Sequence, residues 1–193
     1  MDLTLDGLRQ RVAQCTLCPL GSTRNHAVFG EGDPAAKVLF VGEGPGEVED
    51  DTGRPFVGPA GKKLDEVFAA VGLTRDELYI TNVVKCRPPG NRVPSKDEMA
   101  ACYPYLEAQI ALIKPGLIVT LGNIPTQWLI PDAEGITRIR GSFLPWIGGV
   151  RVFPMFHPSY LLRNPSRAKG SPKYLAWQDI QKVREWMDAN PTA

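Results

Sequence analysis

The sequence predicts an α/β protein, a three-layer α/β/α sandwich around a central four-stranded parallel sheet. Val38-Leu39-Phe40-Val41, entered from Lys37 and closed by Gly42, and Leu117-Ile118-Val119-Thr120-Leu121 are nearly continuous apolar runs rather than alternating ones. That is the pattern of strands covered on both faces. Stretches of helical periodicity alternate with the strand segments, an order that calls for right-handed crossovers and helices on both sides of a parallel sheet.

The elements follow in order. Leu5, Leu8 and Val12 fall at helical spacing, so a short amphipathic helix is expected over residues 4–14, ending at Cys15. The strand at 37–41 comes next, followed by a long glycine-rich loop. Leu64, Val67, Phe68 and Val71 then mark a helix that Gly72 stops. Residues 78–84 read as the second strand. Ser95 with Glu98 three residues later forms a capping box, opening a helix that runs to about residue 113. After the third strand at 117–121, a short helix is expected over 123–130, a fourth strand over 150–156 and a closing helix over about 172–188.

The chain has 193 residues, 43% hydrophobic and 22% charged, which suits one globular domain spanning 1–193 with room for a sizeable core. No apolar run approaches the roughly 20 residues that cross a bilayer. Met1-Asp2-Leu3-Thr4-Leu5-Asp6 lacks the basic and apolar regions of a signal peptide, so a cytoplasmic location with no membrane partner is expected. With 22 Lys and Arg against 21 Asp and Glu, the formal charge is +1, and any nucleic-acid face must be local.

Four cysteines in a cytosolic chain are more often metal ligands, catalytic thiols or core residues than disulfides. Cys15 and Cys18 form a C-x2-C pair, while Cys86 and Cys102 fall at a strand end and within the following helix. Four thiolates can hold one metal centre, and the spacing fits tetrahedral zinc or an iron–sulfur cluster equally. Plain burial is the alternative for some of them.

In parallel sheets, ligands bind beyond the carboxyl ends of the strands. Gly42-Glu43-Gly44-Pro45-Gly46 follows the first strand, but it does not match G-x-G-x-x-G, and Pro45 removes a backbone donor. The acidic residues after it, Glu47, Glu49, Asp50 and Asp51, would repel phosphates. A dinucleotide site is therefore not expected. Small residues there instead let a flat ligand approach the backbone, with a structural turn as the alternative. Of the two histidines, His26 and His157, only His157 follows a strand, where Pro158 stiffens its backbone. It reads as a catalytic imidazole or a structural hydrogen-bonding group. Asn82 lies inside an apolar strand, and an unsatisfied buried amide costs about 1–3 kcal/mol. Its adjacent donor and acceptor match the N3–H and O4 edge of uracil, whereas cytosine presents the reverse. Satisfaction by nearby backbone is the competing reading.

Taken together, these residues resemble the iron–sulfur, thermostable-type uracil-DNA glycosylases, often called family 4 of the uracil-DNA glycosylase superfamily. The likeness spans nearly the whole chain. It includes Cys15 and Cys18, Gly42-Glu43-Gly44-Pro45-Gly46-Glu47 continuing to Gly53-Arg54-Pro55-Phe56-Val57-Gly58, and Thr81-Asn82-Val83-Val84-Lys85-Cys86-Arg87-Pro88-Pro89. Cys102 and His157-Pro158-Ser159-Tyr160-Leu161-Leu162-Arg163 complete it.

The resemblance implies a monomeric enzyme that flips uracil out of DNA and hydrolyses its N-glycosidic bond in base excision repair. It also implies a structural [4Fe–4S] cluster on Cys15, Cys18, Cys86 and Cys102, with zinc as the runner-up. Phe56 would stack on the extruded base, Asn82 would pair with N3–H and O4, and His157 would donate to O2. The backbone at Gly42, Glu43 and Gly44 would help hold O2, Glu49 would obstruct a C5 methyl group, and Leu161 would fill the vacated stack. Gly44 stands where better-known relatives carry the aspartate that positions water, so Glu43 or a more distant carboxylate is the expected substitute. Arg87-Pro88-Pro89-Gly90-Asn91-Arg92 lacks the histidine of a branch that becomes covalently attached to uracil, so ordinary turnover is expected. Phosphate contacts are expected from Lys85, Arg87 and Arg92 and from Arg163, Arg167, Lys169 and Lys173. Two rival readings are a non-catalytic metal-containing module that binds uracil-DNA, and a nucleotide-binding or electron-transfer protein on a doubly wound sheet.

Overall fold

A computed structural model describes residues 3–191. Thr4 caps the first helix, α1 (Leu5–Ala13), by accepting from the Gly7 N–H at 3.1 Å. A single turn, α2 (Leu20–Thr23), follows the first cysteine pair, and the chain then enters β1 (Glu31–Gly32) and β2 (Val38–Gly42). The glycine-rich connection contains a helix that carries no apolar periodicity, α3 (Glu47–Thr52). Helix α4 (Pro59–Ala69) begins with proline, whose missing N–H is harmless in a first turn.

Strand β3 (Tyr79–Asn82) is shorter than the apolar run suggests, because Val83 and Val84 lie beyond it. Their N–H groups still bond the Gly42 and Glu43 carbonyls, at 2.9 and 3.2 Å. Helix α5 (Lys96–Ile113) opens with the expected capping box: Glu98 N–H donates to Ser95 Oγ at 3.1 Å, and Ser95 N–H to Glu98 Oε2 at 2.8 Å. Next come β4 (Leu117–Leu121), α6 (Asn123–Leu129), α7 (Ile136–Ile139), β5 (Leu144–Pro145) and β6 (Arg151–Met155). The chain closes with α8 (Pro158–Arg163) and α9 (Pro172–Ala189).

The sheet has six strands in the order β1-β3-β2-β4-β6-β5. The inner four, β3-β2-β4-β6, are parallel as expected. The expectation of a sheet limited to four strands is corrected by β1 and β5, which add antiparallel at the two edges. Each is two residues long, too short to show any periodicity in sequence. Pro154 is tolerated within β6 because β5 pairs only with Arg151 and Val152. At Pro154 the outer side of β6 is open, and there its carbonyl accepts from the Gly141 N–H at 2.9 Å.

Alternation along the strands divides the core between the two faces. Leu39, Val41, Tyr79 and Ile118 pack with Leu106 and Ile110 of α5. Val38, Phe40, Ile80 and Val119 pack with Leu64 and Phe68 of α4 and Ile180 and Val183 of α9. The result is a helix layer on each side and one shared end of the sheet, where the carboxyl termini of the parallel strands open.

Candidate active site and cysteine centre

Gly42, Asn82 and His157 meet beyond the carboxyl ends of β2, β3 and β6. Gly42 has no room for a side chain: a Cβ there would lie 2.4 Å from Asn82 Oδ1 and 2.5 Å from Phe56 Cζ. Glycine is thus required by the approach of two site residues to the backbone. Asn82 is 1% exposed, yet its Oδ1 has no hydrogen-bond partner among the described residues. A buried acceptor left open is costly and suits a site that a ligand completes.

Phe56 is held in a strained backbone, with φ of +52°. Several groups fix that turn. Arg75 donates through Nη1 to the Pro55 carbonyl at 3.0 Å and through Nη2 to the Phe56 carbonyl. Gly61 packs directly on the Phe56 main chain. Glu49 Oε1 accepts from the Val57 N–H at 3.0 Å and the Gly58 N–H at 2.7 Å, so this buried carboxylate anchors the segment that presents the ring. The Phe56 ring centre lies 6.1 Å from that of His157.

His157 caps α8. The Ser159 N–H donates to His157 Nδ1 at 3.1 Å, and Ser159 Oγ lies 2.7 Å from the same nitrogen. Since Nδ1 accepts, the proton of the neutral ring sits on Nε2. Burial, then the nearby Arg163 charge, hold the imidazole down to about 4, while Glu49 opposes the shift. His157 is therefore neutral near pH 7 and offers one N–H donor. His26 has a structural task, with its Nδ1 2.8 Å from the Asp50 carbonyl.

Glu43 is partly buried, and burial raises its carboxyl above the usual range. A Cβ on Gly44 would stand 2.7 Å from Val84 Cγ2, so any side chain there requires Val84 to shift. Gly122, at the end of β4, was not singled out from sequence. Its φ is +95°, and a Cβ would meet His157 Cβ at 3.2 Å. The strand-end rule that pointed to Gly42 would have found it.

Several expectations need correction. Leu161 is 2% exposed and packs with Phe156 and Ala176. The segment is helical, and in it Leu161 turns inward while its neighbour Leu162 is the exposed one, at 43%. Lys85, expected on phosphate, is 1% exposed and its ammonium is enclosed by the protein. Arg92 forms a two-pronged pair with Glu98 at 2.9 and 2.7 Å, which neutralises it. Arg87 donates to Asn91 Oδ1 at 2.7 Å and lies 4.0 Å from Glu47. By contrast Arg163, Arg167 and Lys169 are exposed, and with the half-buried Lys173 they make no ion pair among the described residues.

Cys15, Cys18, Cys86 and Cys102 all line one small cavity, beside Arg24 and Lys85. Arg24 Nη1 donates to Cys86 Sγ at 3.2 Å and to the Cys15 carbonyl at 2.8 Å, tying the first cysteine segment to the third cysteine. The Lys85 N–H donates to Cys102 Sγ at 3.3 Å. Burial pushes the Cys102 thiol up to about 11 and raises Cys86 as well, so these sulfurs need cationic company to ionise. Among the described residues no group of three or more His, Cys, Asp or Glu is arranged to hold a single metal ion. No described helix is long and apolar enough to cross a membrane.

The family model described as the Uracil DNA glycosylase superfamily matches residues 29–181. The chain is 47% identical over 179 residues to a type-4 uracil-DNA glycosylase of Thermotoga maritima, covering 92% of each chain. It is 44% identical over 190 residues to the type-4 uracil-DNA glycosylase of Sulfurisphaera tokodaii, covering 94% of this chain and 84% of that one. A third, from Saccharolobus solfataricus, is 43% identical over 195 residues, covering 97% and 88%. With the match extending over the sheet, the strand-end loops and most of the helices, the chain belongs to the uracil DNA glycosylase superfamily.

Proposed function

We propose that this protein is a DNA repair enzyme that extrudes uracil from DNA and hydrolyses its N-glycosidic bond, leaving an abasic site. The observation that carries the reading is the open, buried Asn82 Oδ1 beside Phe56 and His157, in a chain whose relatives are named uracil-DNA glycosylases. Asn82 Oδ1 accepts from uracil N3–H while its amide N–H donates to O4. Cytosine would set acceptor against acceptor and donor against donor, so the same amide rejects it.

A base inside the duplex is out of reach, and its extrusion costs a few kcal/mol of lost stacking and pairing. Stacking on Phe56 offsets part of that cost. As the C1′–N1 bond breaks, its electron pair leaves with uracil and negative charge gathers on O2. The Nε2–H of neutral His157 and the main-chain N–H groups of Glu43 and Gly44 donate there, more strongly in the transition state than before it. Water bonds to C1′ and its proton passes to the Glu43 carboxylate. Glu43, the partly buried carboxylate of this loop, is the group assigned to hold that water. Glu49 restricts the pocket on the C5 side while anchoring the Phe56 turn. Leu162 takes the wedge role, and Arg163, Arg167, Lys169 and Lys173 contact phosphates.

The four cysteines are assigned to a [4Fe–4S] cluster, supported by an all-thiol donor set around one cavity and by the Arg24 and Lys85 donors that stabilise thiolates. When bound, the cluster supplies a cross-link between the N-terminal segment, the chain after β3 and α5. An absorption spectrum separates it from zinc, whose thiolates are colourless in the visible.

Incubation with a uracil-containing oligonucleotide, followed by alkali, tests the function. Cleavage at the uracil position is expected. Binding without base release would overturn the reading in favour of a non-catalytic module.

A further inference from the structure

Lys85 is the largest charged side chain in the core, and the base chemistry above does not use it. At 1% exposure it donates from Nζ to Thr81 Oγ1 at 2.6 Å, to the Asn82 main-chain oxygen at 2.7 Å and to Gln109 Oε1 at 2.6 Å. An ammonium has three N–H bonds, and all are engaged. None of these partners is a carboxylate.

The acceptors are themselves fixed. Thr81 Oγ1 and Gln109 Nε2 both donate to the Phe29 carbonyl at 2.8 Å, and Thr81 and Gln109 are fully buried. Nothing in this network reaches solvent. Its most consequential member is the Asn82 carbonyl. β3 ends at Asn82, so the ladder supplies no further partner on that side and a buried carbonyl would stand open. Lys85 reaches back three residues to fill it. The peptide so held belongs to the residue whose side-chain oxygen is left open for a ligand.

The other end of Lys85 lies in the cysteine centre. Its main-chain N–H donates to Cys102 Sγ at 3.3 Å, its carbonyl accepts from the Val28 N–H at 2.7 Å, and Cys86 follows directly. One residue thus joins the sulfur cavity to the strand end that reads the base. We infer that Lys85 is the positioning residue for Asn82: it holds the Asn82 peptide through its carbonyl and thereby ties the placement of the base-reading amide to the cysteine centre.

The inference deepens the proposed function and rests on it. Buried networks of this kind act as a unit, and a double-mutant cycle isolates the coupling. We would measure single-turnover uracil release, and binding to a duplex bearing 2′-fluoro-2′-deoxyuridine opposite guanine. The proteins would be wild type, Lys85→Met, Asn82→Ala and the double variant, each matched for iron content and melting temperature.

Lys85→Met should slow release at least about tenfold in the Asn82 background and less than about twofold in the Asn82→Ala background, because a positioning residue has nothing left to position. The binding constants should follow the same pattern. Should Lys85→Met fail to fold, the near-isosteric Thr81→Val removes one of its acceptors, and a loss of about threefold confined to the Asn82 background is expected. Equal fold losses in both backgrounds, or no loss in either, overturn the inference alone. A wild-type protein that releases no uracil, or an Asn82→Ala protein as fast as wild type, overturns the functional reading and the inference with it.

Discussion

The proposed base pocket and the cysteine cavity lie at opposite ends of Lys85 and are built on opposite principles. In the pocket, the protein spends its own structure to keep polar atoms available: Asn82 Oδ1 has no partner, Phe56 is held at positive φ, and His157 has its proton directed to Nε2. Those groups are in place before any ligand arrives, which is what electrostatic preorganisation requires. In the cavity the reverse holds. The thiols of Cys86 and Cys102 are raised by burial, which the neighbouring Arg24 and Lys85 oppose without cancelling, so their ionised form depends on what they bind. One site holds its groups in a fixed arrangement with a single acceptor left open, whereas the other leaves the state of its thiols to what they bind.

The sharpest way to break that contrast is to damage each site separately. His157→Ala removes the donor proposed for O2 and should slow uracil release by about 10²–10³-fold, with little change in affinity for uracil-containing DNA and a melting temperature lower by only a few degrees for the lost α8 cap. Unchanged single-turnover rates would remove His157 from the mechanism. Cys102→Ala should do the opposite. It is expected to lower the melting temperature by about 10 °C through loss of the proposed cross-link, and to slow uracil release per folded molecule only by the few-fold that the Lys85 link to Asn82 transmits, far less than His157→Ala does. Iron content and thermal unfolding followed together would check it, and a specific loss of chemistry at full stability would erase the distinction.

The smallest effect concerns pH. His157 is held down to about 4 by burial, so its donor form persists through the neutral range, and single-turnover release should show no loss from this group between pH 8 and about 5.5. A rate that fell with an apparent pKa near 6.5 would contradict it. Stability follows with a definite sign. Above the unfolded pKa of about 6.5 both states are neutral and the group is indifferent. As pH falls from there toward about 4, the unfolded chain binds a proton that the folded chain refuses, so stability is lost across that window. His157→Gln should flatten that part of the curve in denaturant titrations.

Much of this was legible in the residues. The apolar runs in β2 and β4, the Ser95–Glu98 capping box and the glycines after β2 each state a local physical requirement, and each reappears in the structure. The grouping of Gly42, Asn82 and His157 was also expected, because strand ends in a parallel sheet are neighbours by topology, whereas Phe56 was expected beside them only through the family resemblance. The exceptions were equally instructive. α3 sits in a loop sequence without apolar periodicity, and Arg75, which clamps the Phe56 turn from the far side of α4, carries no local signal at all.

What the chain determined by itself was therefore the order of elements, the identity of the strand-end loops and the set of four thiols, since backbone propensity and hydrophobic period act over a few residues. Only the tertiary structure decided the fate of individual charges and of the leucine pair: Lys85 turned inward to three neutral acceptors, Arg92 was claimed by Glu98, and Leu161 entered the core while Leu162 stayed outside. The reason is that the free energy of a cation or an apolar side chain depends on what surrounds it, and those surroundings come from distant segments that folding brings together.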